Sequence, residues 1–207
     1  MFTAPSLYPI IDTDVCERHG ILPLALAEAC LRGGASVLQV RQKGGGSAAL
    51  LALTRRLVDL ARTFNAGIVV NDRADLAVIA GAAGVHVGQK DLGIEDVRRV
   101  AGSSILVGVS THVRQQVDAA LTSSATYVAV GPVYGTETKE TGYSACGTEL
   151  IRYAAGRGKP IIAIGGVTLD RVTQLVDAGA SGLAVIADLL STGDPEGRVR
   201  EYVRALA

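Results

Sequence analysis

Eight short apolar runs, each followed by a polar turn and a helical pattern, predict an α/β chain whose parallel sheet closes into a (β/α)8 TIM barrel. Three observations carry that prediction. The runs are nearly continuous in apolar residues, as strands covered on both faces are. The spacing between them accommodates one helix each and no large insert. Polar residues follow nearly every run, whereas an open doubly wound sheet, the competing architecture, gathers them at one switch point.

The strands are expected over 7–12, 37–41, 68–72, 85–88, 105–109, 127–131, 161–165 and 183–186. Between them, 48–64 places Leu50, Leu53, Leu57, Leu60 and Ala61 on one helical face, and 169–178 follows Thr168, a candidate N-cap. The stretch 198–206 reads as the last helix, on the outside of the barrel. Gly33, Gly34, Gly102, Gly156 and Gly179 fall at helix exits, where a left-handed residue is needed. No low-complexity linker interrupts the pattern, so one domain over 1–207 is expected.

With 48% hydrophobic and 19% charged residues in 207, the chain can bury a sizeable core and disorder is excluded. Twenty basic residues balance twenty acidic ones, so no global field draws nucleic acid or an anionic membrane, and any anion site must be local. Cys16, Cys30 and Cys146 are odd in number and widely spaced, which fits reduced thiols better than a disulfide framework or a zinc site. The first residues lack a basic and apolar leader pattern, and no segment holds eighteen uninterrupted apolar residues. A soluble cytoplasmic protein is expected, with a homodimer as the expected assembly.

In a barrel the active face is built from whatever follows each strand. After the second strand, Gln39, Arg41 and Lys43 alternate to one side, which suits a phosphate or diphosphate; solvated loop charges are the alternative. Asp72 and Asp91 end the third and fourth strands, nineteen positions apart. Each alone reads as a helix N-cap, but placed together beside Arg41 and Lys43 they suit a shared magnesium ion, which prefers a few carboxylates plus phosphate oxygens and water. Ser110 after the fifth strand is a hydroxyl donor or a cap. The sixth strand opens into a long polar loop containing Thr136, Glu137, Thr138 and Lys139, a candidate substrate cover. Gly165, Gly166, Ile186 and Ala187 end the last two strands, where barrels commonly cradle phosphate.

His86 lies within a strand and reads as barrel packing, and neither His19 nor His112 has a Ser or Cys nucleophile arranged beside it. Dinucleotide and P-loop glycine fingerprints are both absent.

In order, LQVRQK, NDRADLA, GVHVGQKDL, GVSTH, VAVGPVYGTETK, AIGGV and GLAVIA resemble the thiamine-phosphate synthase (thiamine-phosphate pyrophosphorylase) family over nearly the whole chain. The resemblance implies a magnesium-dependent (Mg2+) transferase. It would join 4-amino-2-methyl-5-(diphosphooxymethyl)pyrimidine to hydroxyethylthiazole phosphate, or its carboxylated form, giving thiamine phosphate and diphosphate. It further implies that Gln39, Val40, Arg41, Gln42, Lys43, Asn71, Ser110 and Lys139 bind the pyrimidine diphosphate, with Arg41, Lys43, Ser110 and Lys139 catalytic and Asp72 and Asp91 on the metal. Thr136, Glu137, Thr138, Gly166, Ile186 and Ala187 would hold the thiazole phosphate. The family usually has Ser at 187 and Pro at 135, where this chain has Ala187 and Gly135; main-chain contacts survive the first change and a hydroxyl contact does not. The related thiazole tautomerases carry a histidine where Pro132 stands here. A tautomerase, another phosphate-binding barrel isomerase or lyase, and a non-catalytic thiamine-linked binding protein are the alternatives.

Overall fold

Each of the eight apolar runs forms a strand in the computed structural model, which describes residues 5–135 and 142–207. The strands are β1 (Ser6–Asp12), β2 (Val37–Arg41), β3 (Gly67–Asn71), β4 (Gly84–Val87), β5 (Leu106–Thr111), β6 (Tyr127–Val130), β7 (Ile161–Ile164) and β8 (Gly182–Val185). All neighbours are parallel and follow chain order, and β1 pairs with β8 to close the barrel, with Tyr8 opposite Ala184. The helices among the described residues are α1 (Thr13–Arg18), α2 (Pro23–Arg32), α3 (Ser47–Arg62), α4 (Ala74–Ala80), α5 (Ile94–Ala101), α6 (Arg114–Thr122), α7 (Glu149–Ala154), α8 (Val172–Asp177) and α9 (Pro195–Leu206).

Strand alternation sorts the apolar residues into two layers. Leu38, Val40, Val70, Val85, Val107 and their counterparts point outward and pack under the helices, against faces such as Leu50, Leu57, Val58 and Ala61 of α3. Fully burying a side chain such as Leu38 or Leu57 contributes about 1.5–3 kcal/mol. Tyr8, Ile10, Val37, Val69, Tyr127, Ala129, Ile162 and Ala184 point inward and fill the lumen. The barrel is therefore a packed core with a mouth at the strand C-termini.

Local differences from the sequence expectation have local causes. Residues 169–178 divide into a 3-10 turn, Leu169–Arg171, followed by α8, and Thr168 occupies the cap position without a side-chain cap bond. Gly34, Gly102, Gly156 and Gly179 are left-handed as expected, whereas Gly33 stays right-handed at the end of α2. Gly33 is small for another reason: a Cβ there would lie 2.6 Å from Val199 of α9. The last helix starts three residues early because Asp194 caps it, accepting from Gly197 N at 2.9 Å, with Pro195 in the first turn. No helix among the described residues is long and apolar enough to cross a membrane.

Candidate active site

On the β2–β4 side of the mouth, both aspartates have tasks other than capping helices. Asp72 has a left-handed backbone (φ 66), tolerable for an aspartate, and its N–H donates to His86 O at 2.7 Å. Its carboxylate takes Lys43 Nζ at 2.5 Å, while the cap position of α4 is Arg73. Asp91 Oδ2 accepts from Gly88 N at 2.8 Å, and the cap position of α5 is Gly93. The capping alternative is thus corrected for both residues. The two carboxylates also interact directly. Burial pushes the Asp72 carboxyl above its ordinary value, and the hydrogen bond and charge of Asp91 add to the rise, against the pull of Lys43. Two carboxylates held together, one of them paired with Lys43, form a donor set that suits a hard divalent cation. Among the described residues no group of three or more His, Cys, Asp or Glu side chains gathers, and a two-carboxylate site is what magnesium accepts when substrate oxygens and water complete its shell.

Arg41 ends β2 opposite Asp12 of β1, and its Nη1 is paired with the Asp12 carboxylate. Gln39, two residues earlier, points into the lumen and donates from Nε2 to Tyr8 Oη at 3.0 Å. From there a chain of side-chain hydrogen bonds crosses the barrel: Tyr8 Oη to Tyr127 Oη at 3.0 Å, Tyr127 Oη to His86 Nδ1 at 3.0 Å, and His86 Nε2 to Ser110 Oγ at 2.9 Å. All five residues are buried. Buried polar groups must be matched, so the chain fixes the rotamers of Gln39 and Ser110 at its two ends. Burial raises the phenol pKa of both Tyr8 and Tyr127, which keeps them neutral. His86 packs inside the barrel, as its place within a strand implied.

Ser110 also borders a cavity of about 310 Å³ on the β5–β8 side, lined by Gly166, Thr168, Ile186, Ala187 and Asp188 among others. The cradle expected at Gly165 and Gly166 has a steric reason of its own. Val133 N and Tyr134 N donate to the carbonyls of Ile164 and Gly165, bringing the loop after β6 so close that a Cβ on Gly165 would lie 2.6 Å from Pro132 and one on Gly166 would lie 2.7 Å from Gly135 O. Arg171 reinforces the junction, donating to Gly166 O at 2.5 Å and lying 4.1 Å over the Tyr134 ring. At the far wall Asp188 is gripped by Arg198 Nε and Nη2, both at 3.0 Å, and by Tyr202 Oη at 2.5 Å. The turn that carries Ala187 is thereby tied to α9.

The structure brings Gln39, Arg41, Lys43, Asn71, Asp72, Asp91 and Ser110 to one end of the barrel, and Gly166, Ile186 and Ala187 to the adjoining cavity. Two members of the 39–43 stretch lie otherwise. The Val40 side chain is buried under the helices, and the Gln42 amide donates to Gly44 O at 2.8 Å, closing its own loop. Thr136, Glu137, Thr138 and Lys139 lie outside the described residues. The strand-end rule applied from β2 onward passes over Asp12, which the same rule applied to β1 identifies. Tyr8 and Tyr127 leave a fainter trace, as aromatic residues with polar tips at inward strand positions.

A family model described as thiamine monophosphate synthase matches residues 7–189. A thiamine-phosphate synthase of Koribacter versatilis is 38% identical over 205 residues, covering 98% of this chain and 96% of the relative. One from Anaeromyxobacter dehalogenans is 42% identical over 178 residues, covering 86% and 80%. The solved thiamine phosphate pyrophosphorylase from Pyrococcus furiosus superposes with a TM-score of 0.87 at 25% identity, covering 97% of this chain and 95% of that one. With this barrel, this mouth and these relatives, the chain belongs to the thiamine-phosphate synthase family.

Proposed function

We propose that the chain catalyses a magnesium-dependent, dissociative substitution joining a hydroxymethylpyrimidine diphosphate to hydroxyethylthiazole phosphate, with thiamine phosphate and diphosphate as products. The observation that carries this reading is the proximity of Asp91 to Asp72, which is itself paired with Lys43, at the same mouth as Arg41 and Gln39. A paired-carboxylate and cation cluster is what a diphosphate leaving group requires. The adjoining cavity, which Ser110 borders, would give the second substrate a place of its own.

Asp72 and Asp91 would hold the metal. When bound there, magnesium supplies a Lewis acid that offsets charge on the diphosphate. The chain's own residues do the rest. Gln39 and Ser110, fixed by the luminal chain, orient the pyrimidine so that its methylene carbon faces the cavity, and Asn71 adds an amide at the end of β3. The bond between methylene carbon and diphosphate oxygen breaks, the electron pair leaves with the diphosphate, and Arg41, Lys43 and Lys139 offset the negative charge that develops. The aminopyrimidine stabilises the resulting cation, and the thiazole nitrogen lone pair closes the new carbon–nitrogen bond. Backbone N–H groups near Gly166, Ile186 and Ala187 hold the thiazole phosphate in line. No proton moves, which fits a site whose buried histidine serves packing and orientation. Three free thiols and balanced charge fit a cytoplasmic enzyme.

The test is direct. Incubated with both substrates, the protein forms thiamine phosphate and diphosphate in equal amounts with magnesium and neither with a chelator. Product formation unaffected by chelator removes the metal assignment, and no product under any condition removes the transferase reading.

A further inference from the structure

Asp12 is a carboxylate at this mouth to which neither the family pattern nor the proposed chemistry gives a task. It ends β1, is only 2% exposed, and uses both oxygens. Oδ1 accepts from the N–H groups of Asp14 and Val15, each at 3.1 Å, which caps α1. Oδ2 takes Nη1 of Arg41, its register partner on β2. Capping by itself requires only one acceptor oxygen, which Asn or Ser would supply equally well. The second oxygen, committed to Arg41, therefore points to a further role.

Arg41 shows what that role is. Its side chain is 11% exposed, and Nε is buried with no hydrogen-bond partner among the described residues. Buried N–H groups are nearly always matched, so this one calls for an acceptor that the described residues do not supply. With Nη1 held by Asp12, the edge of the guanidinium formed by Nε and Nη2 is left for a second partner, and that edge has the fork geometry that grips two phosphate oxygens.

We propose that Asp12 is a positioning residue: it fixes the Arg41 guanidinium by Nη1 and so sets the direction in which its remaining N–H groups meet the diphosphate. The inference rests on Arg41 being a diphosphate ligand, and it predicts that Asp12 acts only through Arg41. The carboxylate also offsets part of the arginine charge, so its benefit is orientation and not field strength.

The experiment is calorimetric titration of inorganic diphosphate, with magnesium, into the wild-type protein, Asp12→Asn, Arg41→Ala and the double variant. Asp12→Asn keeps an acceptor oxygen for α1 and loses the charged partner of Arg41; Asp12→Ser is the second variant if the first melts early. Both single variants should bind diphosphate about tenfold or more weakly, with the Asp12→Asn melting temperature within a few degrees of wild type. The double variant should bind no more weakly than Arg41→Ala, because a positioning residue has nothing left to position. Wild-type or tighter binding by a folded Asp12→Asn protein overturns the proposal, as do losses that simply add. Unchanged binding by Arg41→Ala fails differently, since it removes the diphosphate site assigned to that arginine.

Discussion

Substituting Gly108 by alanine should damage the barrel out of proportion to the one methyl group added. A Cβ at this position would lie 2.0 Å from Cζ, 2.3 Å from Oη and 2.5 Å from Cε2 of Tyr127. Carbon atoms settle near 3.5–4.0 Å, so the ring must retreat by roughly 1.5 Å. It has nowhere to go: Tyr127 is completely buried, edge-on to Tyr8 at 6.0 Å and stacked with His86 at 5.7 Å. Overpacking of this kind costs about 1–3 kcal/mol, and weakening the two hydrogen bonds of Tyr127 Oη adds about 0.5–1.5 kcal/mol each. A loss of roughly 2–6 kcal/mol is expected, against a total stability of about 5–15 kcal/mol. Urea denaturation measures it as a lower midpoint at unchanged slope. Gly44→Ala, where an added Cβ meets nothing within 4 Å, is the control and should stay within about 0.5 kcal/mol of wild type. In a Tyr127→Leu background, which removes the clashing atoms, Gly108→Ala should cost much less. Equal midpoints for Gly108→Ala and wild type, or an equal cost in both backgrounds, would refute the steric account of the lumen.

Asp72→Asn should remove magnesium-dependent turnover without loss of stability, and asparagine is the right replacement because it tolerates the φ of 66. A carboxyl whose folded pKa is raised, here by burial first and then by Asp91, destabilises the fold above that pKa, and the penalty disappears as pH falls through it. The variant should therefore unfold at the same or higher urea concentration than wild type at pH 8, with any difference shrinking in mildly acidic buffer; a clear loss of stability at pH 8 contradicts this. Thiol labelling should separate the cysteines. Cys16 and Cys30 are buried and their thiols are pushed up, chiefly by burial, to about 11 and about 12. Iodoacetamide at neutral pH should thus modify only the half-buried Cys146 before denaturant is added, and mass spectrometry showing rapid native labelling of Cys30 would overturn the packing between α2 and the sheet.

Much of the architecture is legible in the sequence because barrel strands obey local rules. An apolar run buried on both faces, a polar residue at its end and an amphipathic helix after it are all encoded within about 25 residues, consistent with ordinary βα spacing. Strand bounds accordingly shift by no more than two residues, and those of 37–41 do not shift. Candidate site residues are legible for the same reason: in a parallel barrel the residue after each strand must face the mouth, so Arg41, Asp72, Asp91 and Ser110 can be identified without knowing their partners. The choice between cap and ligand for Asp72 and Asp91 is harder, since both roles place an aspartate just ahead of a helix.

The sequence by itself determined the number of strands, their order, and the set of side chains delivered to the mouth, since periodicity and strand ends depend on neighbours in the chain. The tertiary structure alone decided which of those side chains meet. The contacts of Tyr8 with Tyr127, of His86 with Ser110, and of Asp72 with Asp91 join different strands or strand-end loops, and the first pair is 119 positions apart. Their distances follow from register, tilt and closure of the sheet, which no local pattern specifies. Asp12 shows the difference most clearly: in sequence it is one more polar residue at a strand end, and only the register of β1 against β2 places it under the guanidinium of Arg41.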